Sequence, residues 1–184
     1  MGHHTFESAH AAGLEDPERY SLCSSEELLW MLDVSPEATV IDLGSGTGFF
    51  TRDVDSFVDR LLAVDIQPVM HRHHREQGVP PVTSLVAADA GTLPIAGASA
   101  TAAYSTVTYH EYGSVAVLKE IKRVLRDGGR HVVVDWSANG IGDEGPPLSE
   151  RYSLEEAIAH HRDAGFEITF QAERPRTFAL VATI

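Results

Sequence analysis

Residues 40–51 read Val-Ile-Asp-Leu-Gly-Ser-Gly-Thr-Gly-Phe-Phe-Thr. An apolar run carrying Asp42 gives way to glycines at alternate positions, Gly44, Gly46 and Gly48, with Ser45 between the first two. Phe49 and Phe50 then open a helical stretch. Glycine reaches positive φ without strain and carries no Cβ, so a strand can bend sharply here and offer its main chain at close range. Strand, glycine turn and helix in that order form a nucleotide-binding device.

The acids around the turn narrow the ligand. Asp42 would repel a pyrophosphate but not a cationic amino-acid group, which points to S-adenosylmethionine, with its sulfonium and ammonium, rather than to a dinucleotide. The next apolar run, Arg60 to Val64, ends in Asp65. This is about 20 residues past the glycines, where a βαβ unit places a carboxylate for ribose hydroxyls. A carboxylate accepts charge-assisted hydrogen bonds from both hydroxyls of a diol. A third run, Val82 to Ala88, leads to Asp89, placed for an adenine amino group, with the Ala90 backbone beside it.

Four ordered motifs carry a family resemblance: Val40 to Gly48; Ala63-Val64-Asp65-Ile66; Ala88-Asp89-Ala90 with Leu93-Pro94; and Ser105 to Glu111 followed by Leu118 to Arg130. The chain resembles the class I S-adenosylmethionine-dependent methyltransferases from about Glu26 to Ile184. That resemblance implies a Rossmann-like α/β three-layer sandwich. Its sheet would have seven mostly parallel strands in the order 3-2-1-4-5-7-6, with a C-terminal antiparallel hairpin. It also implies S-adenosylmethionine as cofactor, S-adenosylhomocysteine as product, contact of Thr106 with the methionine portion, and packing of Ile66 on the adenine face. The segment Glu144 to Arg151 with Ala164-Gly165-Phe166 looks like small-molecule methyltransferases related to those of ubiquinone and menaquinone biosynthesis. The quinone enzymes are usually longer, so their substrate is not carried over; the reading is a small-molecule methyl acceptor, with carbon, oxygen and nitrogen all open.

Composition bounds the rest. A chain of 184 residues, 43% hydrophobic, suits one domain with a substantial core. No run approaches the ~20 apolar residues of a membrane helix. The first residues lack the cationic-then-apolar order of a secretory signal, so a cytoplasmic location is expected. The one cysteine, Cys23, excludes an internal disulfide and the multi-thiolate substrate site of arsenite methyltransferases. It reads as a small buried hydrophobe. Acids number 27 against 14 Lys and Arg, a formal net charge of −13, and Lys119 and Lys122 are the sole lysines. Such a surface repels phosphate backbones, so nucleic acid is not expected as a partner. Acid excess with scarce lysine also suggests adaptation to salt, which screens self-repulsion; unfolding in dilute buffer with recovery in molar salt would support this.

Apolar runs alternate with helical stretches, the pattern of a parallel sheet covered by helices. Strands are expected at 39–43, 60–65, 82–87, 100–105, 130–135, 166–171 and 176–183. Helices are expected near 24–33, 48–57, 68–77, 113–126 and 153–164. Ser24 with Glu27 and Ser153 with Glu156 fit capping boxes. Gly128 and Gly129 read as the stop of the fourth helix. The last two strands should pair as a hairpin across Glu173-Arg174-Pro175-Arg176. Residues 1–23 and the Gly- and Pro-rich stretch 137–152 fall outside this frame and are expected to cover the substrate side.

Two further groups of residues matter. In Ser105 to Tyr112, His110 titrates near neutral pH and is the candidate general base, or else a pocket liner. In Asp16 to Tyr20, Arg19 or Tyr20 could fold over the cofactor, with Arg19 toward its carboxylate. His3, His4, His71, His73, His74, His160 and His161 invite a metal reading, but their spacing shows no convergent ligand set, and solvated side chains with no metal are expected. Other classes stay open: a non-catalytic cofactor-binding module, a nucleotide-dependent oxidoreductase, or an aminopropyl transferase.

Overall fold

The computed structural model describes residues 8–184, with side chains from residue 11 onward. His3, His4 and the start of the N-terminal segment lie outside the described residues. Two short 3-10 stretches, Ser8–Glu15 and Pro17–Ser21, lead in. Then come α1 (Ser25–Leu32), β1 (Thr39–Leu43), α2 (Phe49–Asp55), β2 (Arg60–Asp65), α3 (Pro68–Gln77), β3 (Thr83–Ala87) and β4 (Ala100–Thr106). The second half holds α4 (Tyr109–Tyr112), α5 (Val115–Val124), β5 (Leu125–Trp136), α6 (Leu154–Asp163), β6 (Glu167–Glu173) and β7 (Thr177–Thr183).

The seven strands form one sheet in the order β3-β2-β1-β4-β5-β7-β6. The first five run parallel, and β7 pairs antiparallel with both β5 and β6. This is the arrangement that the resemblance implied. Strand alternation divides the core in two. Ile41, Leu43, Leu62, Val64 and Val133 face one way, against Leu118 and Ile121 of α5 and Leu154 and Ala157 of α6. Val40, Leu61, Ala63, Val132 and Val134 face the other way, against Leu28, Met31 and Leu32 of α1 and Phe50 and Val54 of α2. Each such large side chain, fully buried, contributes roughly 1.5–3 kcal/mol.

Helix starts follow their caps. Ser153 makes a complete capping box with Glu156. Ser24 accepts from the Glu27 amide at 3.2 Å, but the Glu27 carboxylate turns away to Arg174, so that box is half-formed. Gly128 and Gly129 do not stop α5. The helix ends at Val124 and Leu125 is already extended, paired with Ala100. The register shifts before Ala102 meets Arg130, so the glycines sit in an irregular stretch of β5, with Gly128 at φ +72°. The histidines also depart from expectation. His71, His74 and His161 are buried rather than solvated, because α3 and α6 turn those faces inward. Among the described residues no group of three or more His, Cys, Asp or Glu side chains converges as a metal site would require. No described helix is long and apolar enough to cross a membrane.

Candidate functional site

A cleft of about 1050 Å³ opens at the carboxyl ends of β1, β2, β4 and β5, where strand order reverses. Pockets of roughly 300–1,000 Å³ hold drug-sized ligands, so this volume has room for a nucleoside and a second molecule.

The glycine turn forms one wall. Gly44, Gly46 and Gly48 have φ of +72°, +53° and +87°. The amides of Gly44 and Ser45 both donate to the Val64 carbonyl at 2.9 Å, fastening the turn to the end of β2. A Cβ on Gly44 would lie 2.2 Å from Thr108 Cγ2. Asp65 adds a second fastening, its Oδ2 accepting from the Gly46 amide at 2.9 Å and its Oδ1 from the Gln67 amide at 2.8 Å. Each oxygen keeps a lone pair for a ligand hydroxyl. Burial raises the Asp65 carboxyl from its ordinary value, against the pull of these amides and of His71. Ser45, Ile66, Ala90 and Thr106 line the cleft, as does Asp89, whose Oδ1 also accepts from the Gly91 amide at 2.7 Å. The turn-forming and ligand-facing positions of Asp89 therefore coincide.

Two expected contacts lie behind the wall instead. Alternation along β1 sends Asp42 to the α2 side with Val40, where it is 2% exposed and accepts from Thr51 Oγ1 at 2.6 Å. Burial pushes its carboxyl up to about 6, with the Thr51 hydroxyl pulling the other way. Asp42 thus acts on the turn through the first turn of α2. Gly48 is likewise outside the lining; a Cβ there would lie 2.1 Å from the His74 ring, so its bareness serves packing.

The N-terminal 3-10 stretches lie across the same wall. Leu14 Cδ1 comes within 3.3 Å of where a Gly46 Cβ would stand. Arg19 lines the cleft with its guanidinium 5.5 Å from the centroids of both Phe49 and Phe50, and its Nε is buried without a partner. Burial lowers its pKa, opposed by the charges of Glu15 and Asp42. Tyr20 turns away, its hydroxyl donating to Asp53 at 3.1 Å and its ring packed on Phe49.

Beyond Thr106 the chain turns through Val107 at φ +60°, a costly conformation for a β-branched residue. The Val107 amide donates to the Val134 carbonyl at 2.7 Å, which pins it. The single turn α4 comes next and carries His110 to the cleft wall. Its Nδ1 lies 2.9 Å from Oδ1 of Asp135, a fully buried carboxylate at the end of β5. Asp135 also accepts from the amides of His110 and Trp136. Burial alone would lower the His110 pKa, but the charge and hydrogen bond of Asp135, joined by Glu111, outweigh it and raise it.

Residues 137–152 form a closed excursion, tied at its base by the Ala138 amide to the Tyr152 carbonyl at 3.0 Å. Glu144, Gly145, Pro146 and Glu150 of this loop line the cleft. Arg151 holds the loop from inside, donating to the carbonyls of Pro146 (2.8 Å), Ser137 (3.4 Å) and Glu144, with its guanidinium 5.2 Å over Trp136.

Sequence reasoning missed Thr47, Asp135, Trp136, Arg151 and Arg176. Asp135 had a readable signal: like Asp42 and Asp65, it is an acid at the carboxyl end of an apolar run. The wall fits S-adenosylmethionine on its own terms. Ser45 Oγ and Thr47 Oγ1 are buried at the turn without partners, and the Gly46 position would be crowded by a side chain.

Comparison with known proteins places the domain and its fold. Residues 41–133 match the methyltransferase-domain family. A demethylmenaquinone methyltransferase from Corynebacterium kroppenstedtii is 34% identical over 107 residues, 58% of this chain and 45% of that protein. The biotin biosynthesis bifunctional protein BioHC from Cellvibrio japonicus is 35% identical over 92 residues, 50% of this chain and 18% of that protein. The chain thus spans less than half the length of these curated relatives. The crystal structure of an S-adenosylmethionine-dependent methyltransferase from Aquifex aeolicus superposes with a TM-score of 0.89 at 25% identity, covering 98% of this chain and 100% of that one. The chain belongs to the methyltransferase-domain family and has the fold of the class I S-adenosylmethionine-dependent methyltransferases. Its cofactor is S-adenosylmethionine.

Proposed function

We propose that the protein transfers a methyl group from S-adenosylmethionine to a small molecule seated in the part of the cleft walled by His110, Trp136 and Pro146. One observation carries this reading: the glycine turn, fastened by Asp65, opens into a single continuous cleft that runs on to His110, Trp136 and Pro146. S-adenosylmethionine supplies a methyl carbon already activated by its sulfonium leaving group. The chain's own residues bind, orient and exclude water.

In this reading the carboxylate of Asp65 accepts from the ribose hydroxyls. Asp89 and the Ala90 main chain face the adenine edge, and Ile66 covers its face. Gly44, Ser45, Gly46 and Thr106 surround the amino-acid end. Asp42 and Gly48 hold the turn from behind, and His110 stands at the acceptor. Residues 8–23, the described part of the N-terminal segment, and residues 137–152 act as covers. The names of the menaquinone and biotin relatives favour a small acceptor, and the net charge of −13 disfavours nucleic acid.

Calorimetry with S-adenosylhomocysteine tests the first half of this reading, and transfer of labelled methyl to a panel of small acceptors tests the second. Absence of S-adenosylhomocysteine binding by folded protein would overturn it. Tight binding with no transfer to any acceptor would leave a cofactor-binding module instead.

A further inference from the structure

We propose that Asp135 and His110 form a proton-accepting dyad on the acceptor wall, with Asp135 as its positioning residue, and that the methyl acceptor is a nucleophile that gives up a proton from oxygen, nitrogen or carbon. This rests on the methyl-transfer reading above and deepens it.

The tautomer is set by the contacts. An ionised carboxylate can only accept, so the His110 Nδ1 at 2.9 Å from Asp135 Oδ1 must carry a hydrogen. Neutral His110 then keeps its lone pair on Nε2, at the opposite edge of a ring that lines the cleft. Orientation is fixed twice over. Asp135 takes the ring N–H and the backbone N–H of the same histidine, and the Trp136 amide holds the carboxylate in turn. Asp135 is fully buried, so its negative charge acts on the imidazole through little solvent.

The surroundings are suited to accepting a proton. The groups bearing on His110 are Asp135 from β5 and Glu111 from its own turn, which favour the imidazolium, and Arg151 from beneath the loop, which opposes it. A base that must gain charge in a half-buried wall needs such compensation. The strained Val107, two residues before α4, fits a backbone held in place to aim the histidine on that turn.

The step balances. The X–H bond of the acceptor breaks and its proton goes to Nε2. The electron pair on X forms the new bond to the methyl carbon, and the carbon–sulfur pair remains on the departing sulfur. An acceptor with no proton to lose, such as a thioether, would leave the dyad without work.

Long-range ¹⁵N–¹H spectra of the protein saturated with S-adenosylhomocysteine read the tautomer directly. The expected result is a protonated Nδ1 and a bare Nε2 at high pH, with a titration midpoint above that of an ordinary histidine. Asp135→Asn should lower that midpoint. A neutral His110 protonated on Nε2, or a midpoint unmoved by Asp135→Asn, overturns the dyad. Should Asp135→Asn fail to fold, the wild-type spectrum alone decides. Calorimetry on the same samples separates the two readings: wild type that ignores S-adenosylhomocysteine removes methyl transfer, while its free-state spectrum still reports the dyad. With phenol and amine acceptors, His110→Ala should cut transfer by about a hundredfold or more while cofactor affinity holds. Transfer confined to thioether acceptors overturns the acceptor class.

Discussion

At the ends of β1 and β2 the cleft is built around the main chain of the glycine turn, which Val64 and Asp65 fasten in place. At the ends of β4 and β5 it is walled by longer side chains that meet across the sheet: His110 on Asp135, Arg151 on Trp136, Arg176 on Asp143. The first arrangement serves a ligand of fixed shape, because main-chain amides leave little to vary. The second depends on pairings between separate segments, and there substitutions can change the acceptor without disturbing the nucleoside.

Four experiments put that contrast at risk. Gly44→Val should have the largest effect and abolish S-adenosylhomocysteine binding by calorimetry. It places a branched side chain at φ +72° and drives its Cβ into Thr108. Retained affinity would mean that the backbone wall is more forgiving than its geometry.

Acid comes next. Burial depresses the buried His161 and His74 from 6.5 to about 4, and lowers His131, which contacts His161 at 2.9 Å. Below 6.5 the unfolded chain takes up protons that the fold refuses, so their stabilisation is present above the unfolded value and lost as pH falls toward 4. His110 has the opposite sign. Its raised value adds stability that is complete below the unfolded value and lost as pH rises through the folded one. Asp42, raised to about 6, and Asp65 also favour the protonated fold. Replacing the stacked pair isolates one contribution: in the double variant His131→Leu with His161→Leu, the fall in melting temperature between neutral pH and about pH 4.5 should flatten. An unchanged slope would refute the assignment.

Asp65→Ala should weaken S-adenosylhomocysteine by about 1–3 kcal/mol, since it removes an acceptor and loosens the Gly46 amide together. A full-strength calorimetric signal would take the ribose away from Asp65. The smallest effect on the cofactor is expected from Arg151→Ala. It should cost about 1–3 kcal/mol of stability, since the Pro146 and Glu144 carbonyls lose their donor while Ser137 keeps the Gly140 amide, and speed amide exchange across 138–150, while cofactor affinity stays put. An equal loss on both sides of the cleft would show that the two walls are not independent.

The same contrast explains what could be read beforehand. Strands β1 and β2 and the glycine turn were legible to the residue, because apolar runs bounded by glycine and acid are local signals. The 2-residue period of β1 even explains, in retrospect, why Asp42 faces α2 instead of the cleft. His110 was visible as a titratable residue after a strand. Its partner was not, because Asp135 lies 25 positions away and is brought alongside only by the pairing of β4 with β5. The buried histidines escaped for a similar reason: polarity argued for solvent, while the helix faces of α3 and α6 decided otherwise.

The left-handed backbone at Val107 has a consequence for anyone engineering this protein. Glycine at that codon would relax the chain and raise heat tolerance, while letting α4 drift. Libraries selected for thermal survival and libraries selected for turnover should therefore diverge at position 107.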